Sequence, residues 1–168
     1  MFLNIPRIRA IALLGLAALA LAACGGPRGH SAQECMERAM YFESIRSSRD
    51  GMIAVGSVVM NRVESGQYPQ SICGVVSQRG QFAPGIMTND MRELPLVREA
   101  ARAVIRGERH PYIQGAMFFH AANYRAGYTN MHYVLVTGGN AFYERRPVHL
   151  VTQPTPPAAI EGVTGRWR

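Results

Sequence analysis

The sequence predicts an α+β domain in which helices come first and a small sheet comes last. Apolar residues recur at helical spacing from Ala32 to Ile105, and short apolar runs resume only after His110-Pro111. Two of those runs flank Gly138-Gly139-Asn140, a sequence suited to a tight hairpin turn.

Along the segment 32–46, Cys35, Met36, Ala39 and Met40 mark one face of a first helix, and Glu43 takes the next position on that face. Ser47, Ser48 and Asp50 offer capping oxygens to a second helix. Its Met52, Ile53, Ala54, Val55, Val58, Val59, Met60 and Val63 leave little polar surface, so it reads as a buried central helix ending near Ser65-Gly66. Tyr68-Pro69 then leads into a short helix or turn over 71–77. Residues 78–89, broken by Gly80, Pro84 and Gly85, form a loop that holds Gln81 and Phe82, and such loops often line sites. Pro95 opens and Gly107 follows the clearest amphipathic helix, built on Leu96, Val97, Ala100, Ala101, Val104 and Ile105. The runs 116–119, 133–136 and 141–143 supply the strands of the small sheet. From Val151 onward Pro154, Pro156 and Pro157 read as a disordered tail.

The first nine residues contain Arg7 and Arg9 and no acid, and the apolar stretch from Ala10 to Ala23 follows. That stretch falls short of the roughly 20 residues that span a bilayer, and it ends in Leu21-Ala22-Ala23-Cys24, a small-residue box before a cysteine. The expected organisation is a lipoprotein signal peptide over 1–23, a lipidated Cys24, a tether over 24–31, one domain over 32–150 and the tail over 151–168. The expected location is the periplasm-facing cell envelope, held to a membrane by the lipid. Gly25-Gly26 after the cysteine, with no Asp, points to the outer membrane.

The net charge is +7, yet every basic residue is an arginine and none a lysine. This reads as compositional bias, and an exported chain meets no chromosome, so no nucleic-acid partner is expected. His110, His120, His132 and His149 show no HExxH or similar ligand spacing, and the glycines form no phosphate-cradling loop; no metal and no cofactor is expected. With Cys24 acylated, Cys35 and Cys73 remain, for which a disulfide is the default in an oxidising compartment. The competing reading makes Cys35 a peptidase nucleophile with His120 as its base.

Glu43 is the odd residue of its helix. A carboxylate on an inward-packing stripe must be paired or carry a raised pKa, as a general acid requires; the alternative is a glutamate at a helix end that reaches past the stripe into water. Several blocks bear on the choice: Cys35 before Tyr41-Phe42-Glu43, Asp50-Gly51 opening a helix that closes on Asn61-Arg62-Val63, Tyr68-Pro69, Ile72-Cys73-Gly74-Val75-Val76 and Gln81-Phe82. Further on come Gly115-Ala116-Met117-Phe118-Phe119-His120 and Gly138-Gly139-Asn140-Ala141-Phe142-Tyr143. In order and spacing these resemble the SleB-type cell wall hydrolases, the family of the spore cortex-lytic enzymes. The resemblance implies a mostly helical fold like that of lysozyme and the lytic transglycosylases. It also implies cleavage of the β-1,4 bond between N-acetylmuramic acid and N-acetylglucosamine in peptidoglycan, with Glu43 as acid and then base and no cofactor. Gln81, Phe82, His120 and Tyr143 would line the groove. The chain departs from the family pattern at Ser47, where a second Glu is usual, at Asn140, where a His is usual, and near Tyr128, where a Trp is usual. These departures leave open a catalytically silent peptidoglycan-binding lipoprotein with the same fold.

Overall fold

The computed structural model describes residues 29–46 and 48–165. The leader over 1–23, Cys24 and Ser47 lie outside the described residues. Among the described residues four helices precede three strands: α1 (Ala32–Glu43), α2 (Arg49–Glu64), α3 (Ile72–Val76), α4 (Pro95–Ile105), β1 (Phe118–Ala121), β2 (Met131–Thr137) and β3 (Asn140–Arg145), with a 3₁₀ turn at Val148–Leu150. This is the expected α+β order.

Local chemistry sets the helix starts. The hydroxyls of Ser31, Ser48 and Ser71 accept from the backbone N–H groups of Glu34, Gly51 and Gly74, satisfying donors that a helix start leaves unpaired. Pro95 opens α4, where its missing N–H costs nothing. Helix α2 is the central element: Asp50 through Val59 and Arg62 are all buried, with α1 and α4 packed on it. Met36 and Met40 of α1, Val55 and Val59 of α2 and Val104 of α4 share one core with Leu135 and Phe142 of the sheet. Helix α1 stops three residues earlier than its periodicity suggests: the backbone turns extended at Ser44, whose N–H and hydroxyl both cap the Met40 carbonyl.

The sheet runs β1-β3-β2, antiparallel throughout. Gly138 and Gly139 form its turn with φ of 56° and 79°, the paired positive values that a two-residue hairpin demands. Gly138 also lies against Gly51 at the start of α2: a Cβ on Gly51 would stand 2.6 Å from the Gly138 Cα. The turn can therefore seat on the helix only because both residues are glycine. A register shift between Tyr133 and Leu135 moves Val134 out of the ladder and switches which side chains point inward. One face of the sheet, with Phe119, Leu135 and Phe142, joins the helical core. The other, with Phe118, Met131, Tyr133, Ala141 and Tyr143, forms a second cluster.

Residues 151–165 correct the expectation of a disordered tail. They form an irregular but fixed strap along β2, the edge strand, where Tyr133 donates to the Gln153 carbonyl (2.9 Å) and Ile160 donates to Val136 (3.0 Å). Proline content suppresses helix and sheet, but it does not prevent a segment from covering an exposed strand edge.

Cys35 and Cys73 are joined, with Cα atoms 5.2 Å apart, tying α1 to α3. The peptidase reading fails here, since Cys35 has no free thiol and no exposure. Replacing both cysteines by alanine should lower stability by about 4 kcal/mol, the chain-entropy value for a closed loop of 38 residues, measured by urea unfolding. Gly51→Ala should cost about 1–3 kcal/mol in the same assay, because backbone rather than a flexible side chain opposes the new methyl.

Candidate active site

Glu43 is the last residue of α1, and the hairpin fixes the point at which the helix releases it. The Asn140 side-chain amide donates to the Glu43 carbonyl (2.6 Å), and Ile45 N–H reaches the Gly138 carbonyl (3.4 Å). The Glu43 carboxylate turns into the protein instead of outward, accepting from the Ala83 N–H of the 78–89 loop at 2.5 Å. Burial pushes its pKa above the ordinary carboxylate value, and the Ala83 N–H and the Arg62 charge oppose that rise only in part.

Arg62 comes from the last turn of α2, on the stripe that carries Val55 and Val59, and is 3 % exposed. Its Nε donates to the Met117 carbonyl (2.8 Å), and its guanidinium faces the rings of Tyr68 (5.1 Å), Phe82 (5.2 Å) and Phe118 (5.9 Å). Burial works against its charge, while Tyr68, Tyr143 and Glu43 favour it. Asn61, one residue earlier, donates to the carbonyls of Gln114 and Ala116. Both residues therefore brace the strand entry, as their place at a helix end suggests, but Arg62 also links Glu43 to the aromatic floor.

Two clefts flank this centre. One, of about 730 Å³, is lined by Tyr68, Gln78, Gln81, Phe118, Glu144 and Arg145 among others. The second, of about 510 Å³, lies in the 77–88 loop and includes Phe82 and Ala83. Glu43 and Arg62 line neither; the Glu43 carboxylate meets the smaller cleft through the Ala83 N–H, and Arg62 lies beneath Tyr68 and Phe118 of the larger one.

Of the expected groove residues, Gln81 is exposed in the larger cleft. Phe82 is a core residue at 8 % exposure whose ring supports Arg62. Tyr143 is also buried, stacked on Phe118 at 5.5 Å, and burial pushes its phenol upward while Arg145 opposes the rise. His120 stands a layer further out. Nδ1 faces the Ala121 carbonyl (2.9 Å), so Nδ1 carries the proton and Nε2 accepts from the Tyr133 hydroxyl (2.8 Å). With both nitrogens engaged by the protein, His120 orders the second cluster and touches the centre only through the Tyr143 ring (5.7 Å). Glu144 and Arg145 join the larger cleft without having been singled out from sequence, as does Tyr68, which was named only as part of a motif block. Glu144 is tied to Arg146 (2.7 Å) and the Gly115 N–H (3.0 Å), whereas Arg145 lies over Phe118 at 4.5 Å. Among the described residues no group of three or more His, Cys, Asp or Glu is placed to hold a metal ion, and no helix is long and apolar enough to cross a membrane.

The profile of the Cell Wall Hydrolase family matches residues 46–143. The chain belongs to the cell wall hydrolase family. Two solved structures share its fold: the catalytic domain of the germination-specific lytic transglycosylase SleB from Bacillus anthracis and the catalytic domain of the Bacillus cereus SleB protein. Each is 23 % identical, with a TM-score of 0.58; the match covers 71 % of this cell wall hydrolase and 100 % and 99 % of those chains. No curated protein matches it. The family match opens just after Glu43 and closes before the strap.

The raised pKa of Glu43 sets the sign of a stability test. Below the ordinary value of 4.5 the carboxyl is protonated whether the chain is folded or not; above it the unfolded chain ionises first, so stability falls as pH rises through the window up to the folded-state pKa. Glu43→Gln should therefore be more stable than wild type above pH 4.5, by a margin that grows until the folded pKa is passed, in thermal unfolding across pH.

Proposed function

We propose that this cell wall hydrolase is a lytic transglycosylase that cleaves the β-1,4 bond between N-acetylmuramic acid and N-acetylglucosamine, with Glu43 as its one acid and base. The observation that carries the reading is the environment of the Glu43 carboxyl: half-buried, held by the Ala83 N–H, and facing the Arg62 charge. Burial keeps the group protonated into a range where exposed carboxyls have ionised, which a proton donor needs. As the C1–O4 bond breaks, the Glu43 proton passes to the departing oxygen. The resulting carboxylate is stabilised by the Ala83 N–H and Arg62, and it then takes the proton of the muramyl C6 hydroxyl as O6 bonds to C1. The product is a 1,6-anhydro ring; no water is consumed, and Glu43 ends protonated as it began.

Two-carboxylate hydrolysis requires a second acid roughly 5–9.5 Å from the first. The carboxylate in the larger cleft, Glu144, has both oxygens committed, one to Arg146 and one to the Gly115 N–H, and we therefore read the route as single-carboxyl. Asn140 has an evident task as the cap on the Glu43 carbonyl, so its presence in place of the family's histidine does not speak for a silent protein. The larger cleft suits a glycan, with Tyr68 for a sugar face and Gln78 and Gln81 for N-acetyl and hydroxyl groups. We further propose export to the cell envelope and attachment to the outer membrane through acylated Cys24, on the strength of the leader sequence alone.

Purified sacculi digested with the protein should release soluble muropeptides ending in 1,6-anhydromuramic acid, detected by mass spectrometry. Glu43→Gln should reduce release by about 10²-fold or more. The rate should fall about tenfold per pH unit once pH exceeds the Glu43 pKa. Products with reducing ends would replace transglycosylation by hydrolysis, and undiminished release by Glu43→Gln would remove the assignment.

A further inference from the structure

We infer that the C-terminal strap positions Glu43, with Glu161 as the positioning residue. This rests on the reading of Glu43 as the acid and base. Two carboxylates hold the strap. The first is Glu161, whose Oε1 accepts from the Gly138 N–H and whose Oε2 accepts from the Ser48 hydroxyl, each at 2.6 Å. One side chain therefore clamps the β2–β3 turn to the start of α2. The same turn holds the end of α1 from its other side: the Gly138 carbonyl receives Ile45 N–H, and Asn140, two residues on, donates to the Glu43 carbonyl. The path from Glu161 to the Glu43 backbone thus crosses only the glycine turn.

The second carboxylate is Asp50, on α2 and 1 % exposed, which accepts from the N–H groups of Val163 (2.8 Å) and Thr164 (2.7 Å) and from the Thr164 hydroxyl. Burial alone would raise its pKa, but these three bonds together hold it below the ordinary value. Arg49 adds a bond to the Thr164 carbonyl at 2.5 Å while paired with Glu99 and Glu108. A buried carboxylate that finds its donors in the strap makes release of the strap costly. The strap is therefore a built part of the domain, although the family match closes before it begins.

Positioning matters because the acid must lie within a fraction of an ångström of the glycosidic oxygen. A displacement of about 1 Å can cost on the order of 10²-fold in rate. The turn has two positive-φ glycines and no side chains of its own to fix its height, so Glu161 supplies that restraint.

The test uses the full-length protein and soluble glycan strands. Glu161→Ala should lower kcat about tenfold or more with KM within about twofold, measured well below its Tm. It should also move the Glu43 titration, followed by carboxyl carbon NMR, back toward the ordinary value, because a loosened helix end admits water. Glu161→Gln should restore most of both, since its amide can accept from Gly138 and donate to Ser48. Val97→Ala, in the α4 core, serves as the comparison: it should lower Tm with kcat unchanged. Wild-type kcat and an unmoved Glu43 titration in Glu161→Ala would overturn the inference, as would a kcat loss in Val97→Ala that tracks its loss of Tm in the same way. Should wild type release nothing from the strands, the functional reading fails, and the Glu43 titration in Glu161→Ala still decides the role of the strap.

Discussion

A single guanidinium, buried where α2, the 78–89 loop and β1 converge, is the constraint around which the centre is arranged. Arg62 cannot shed its charge in the interior, and isolating it there would be prohibitive. Its surroundings answer that demand with one carbonyl from Met117 and the faces of three rings, Tyr68, Phe82 and Phe118, while its Nη1 is buried without a hydrogen-bond partner. Those four partners fix the heights of β1 and the loop relative to the helix. The loop then presents Ala83 N–H to Glu43, and the strand presents Phe118 to the larger cleft. Aromatic residues that look like sugar platforms in the sequence are in part the supports of this cation, and the same positive charge limits the rise in the glutamate's pKa.

The centre is also held from behind. Helix α1 delivers Glu43 at its end, where a helix is least rigid because its last carbonyls lack internal partners. Asn140 takes the Glu43 carbonyl, the glycine turn holds Asn140, and the disulfide anchors the other end of α1 to α3. The helix is thereby tethered at both ends while its carboxylate is aimed inward. Fold and chemistry are linked through this helix end, in which three distant parts of the chain meet.

Features decided by chain neighbours were legible in the sequence. The Ser48 cap, the proline at the start of α4, the Gly138-Gly139 turn and the inward stripe carrying Glu43 all follow from local rules. The pairing of Cys35 with Cys73 followed from eliminating Cys24. Glu43's partner was not legible, because Ala83 lies 40 residues away and offers only a backbone N–H that any residue there would supply. His120 was read as a groove residue, yet the register shift at Val134 places Tyr133 on its face and takes up its Nε2. No pattern of two-residue alternation announces such a shift. The strap was misjudged for a related reason: composition describes what a segment can do alone, and the donors that Asp50 and Glu161 need are a property of the folded domain.

The strap also bears on the order in which the protein becomes competent. Synthesis proceeds from the N-terminus, so α1, α2 and the sheet are all made before Glu161. A chain cut between the sheet and Glu161 keeps Glu43 and the residues of both clefts yet lacks the clamp on the turn. The groups of the centre are thus all made before the one that clamps the turn behind it.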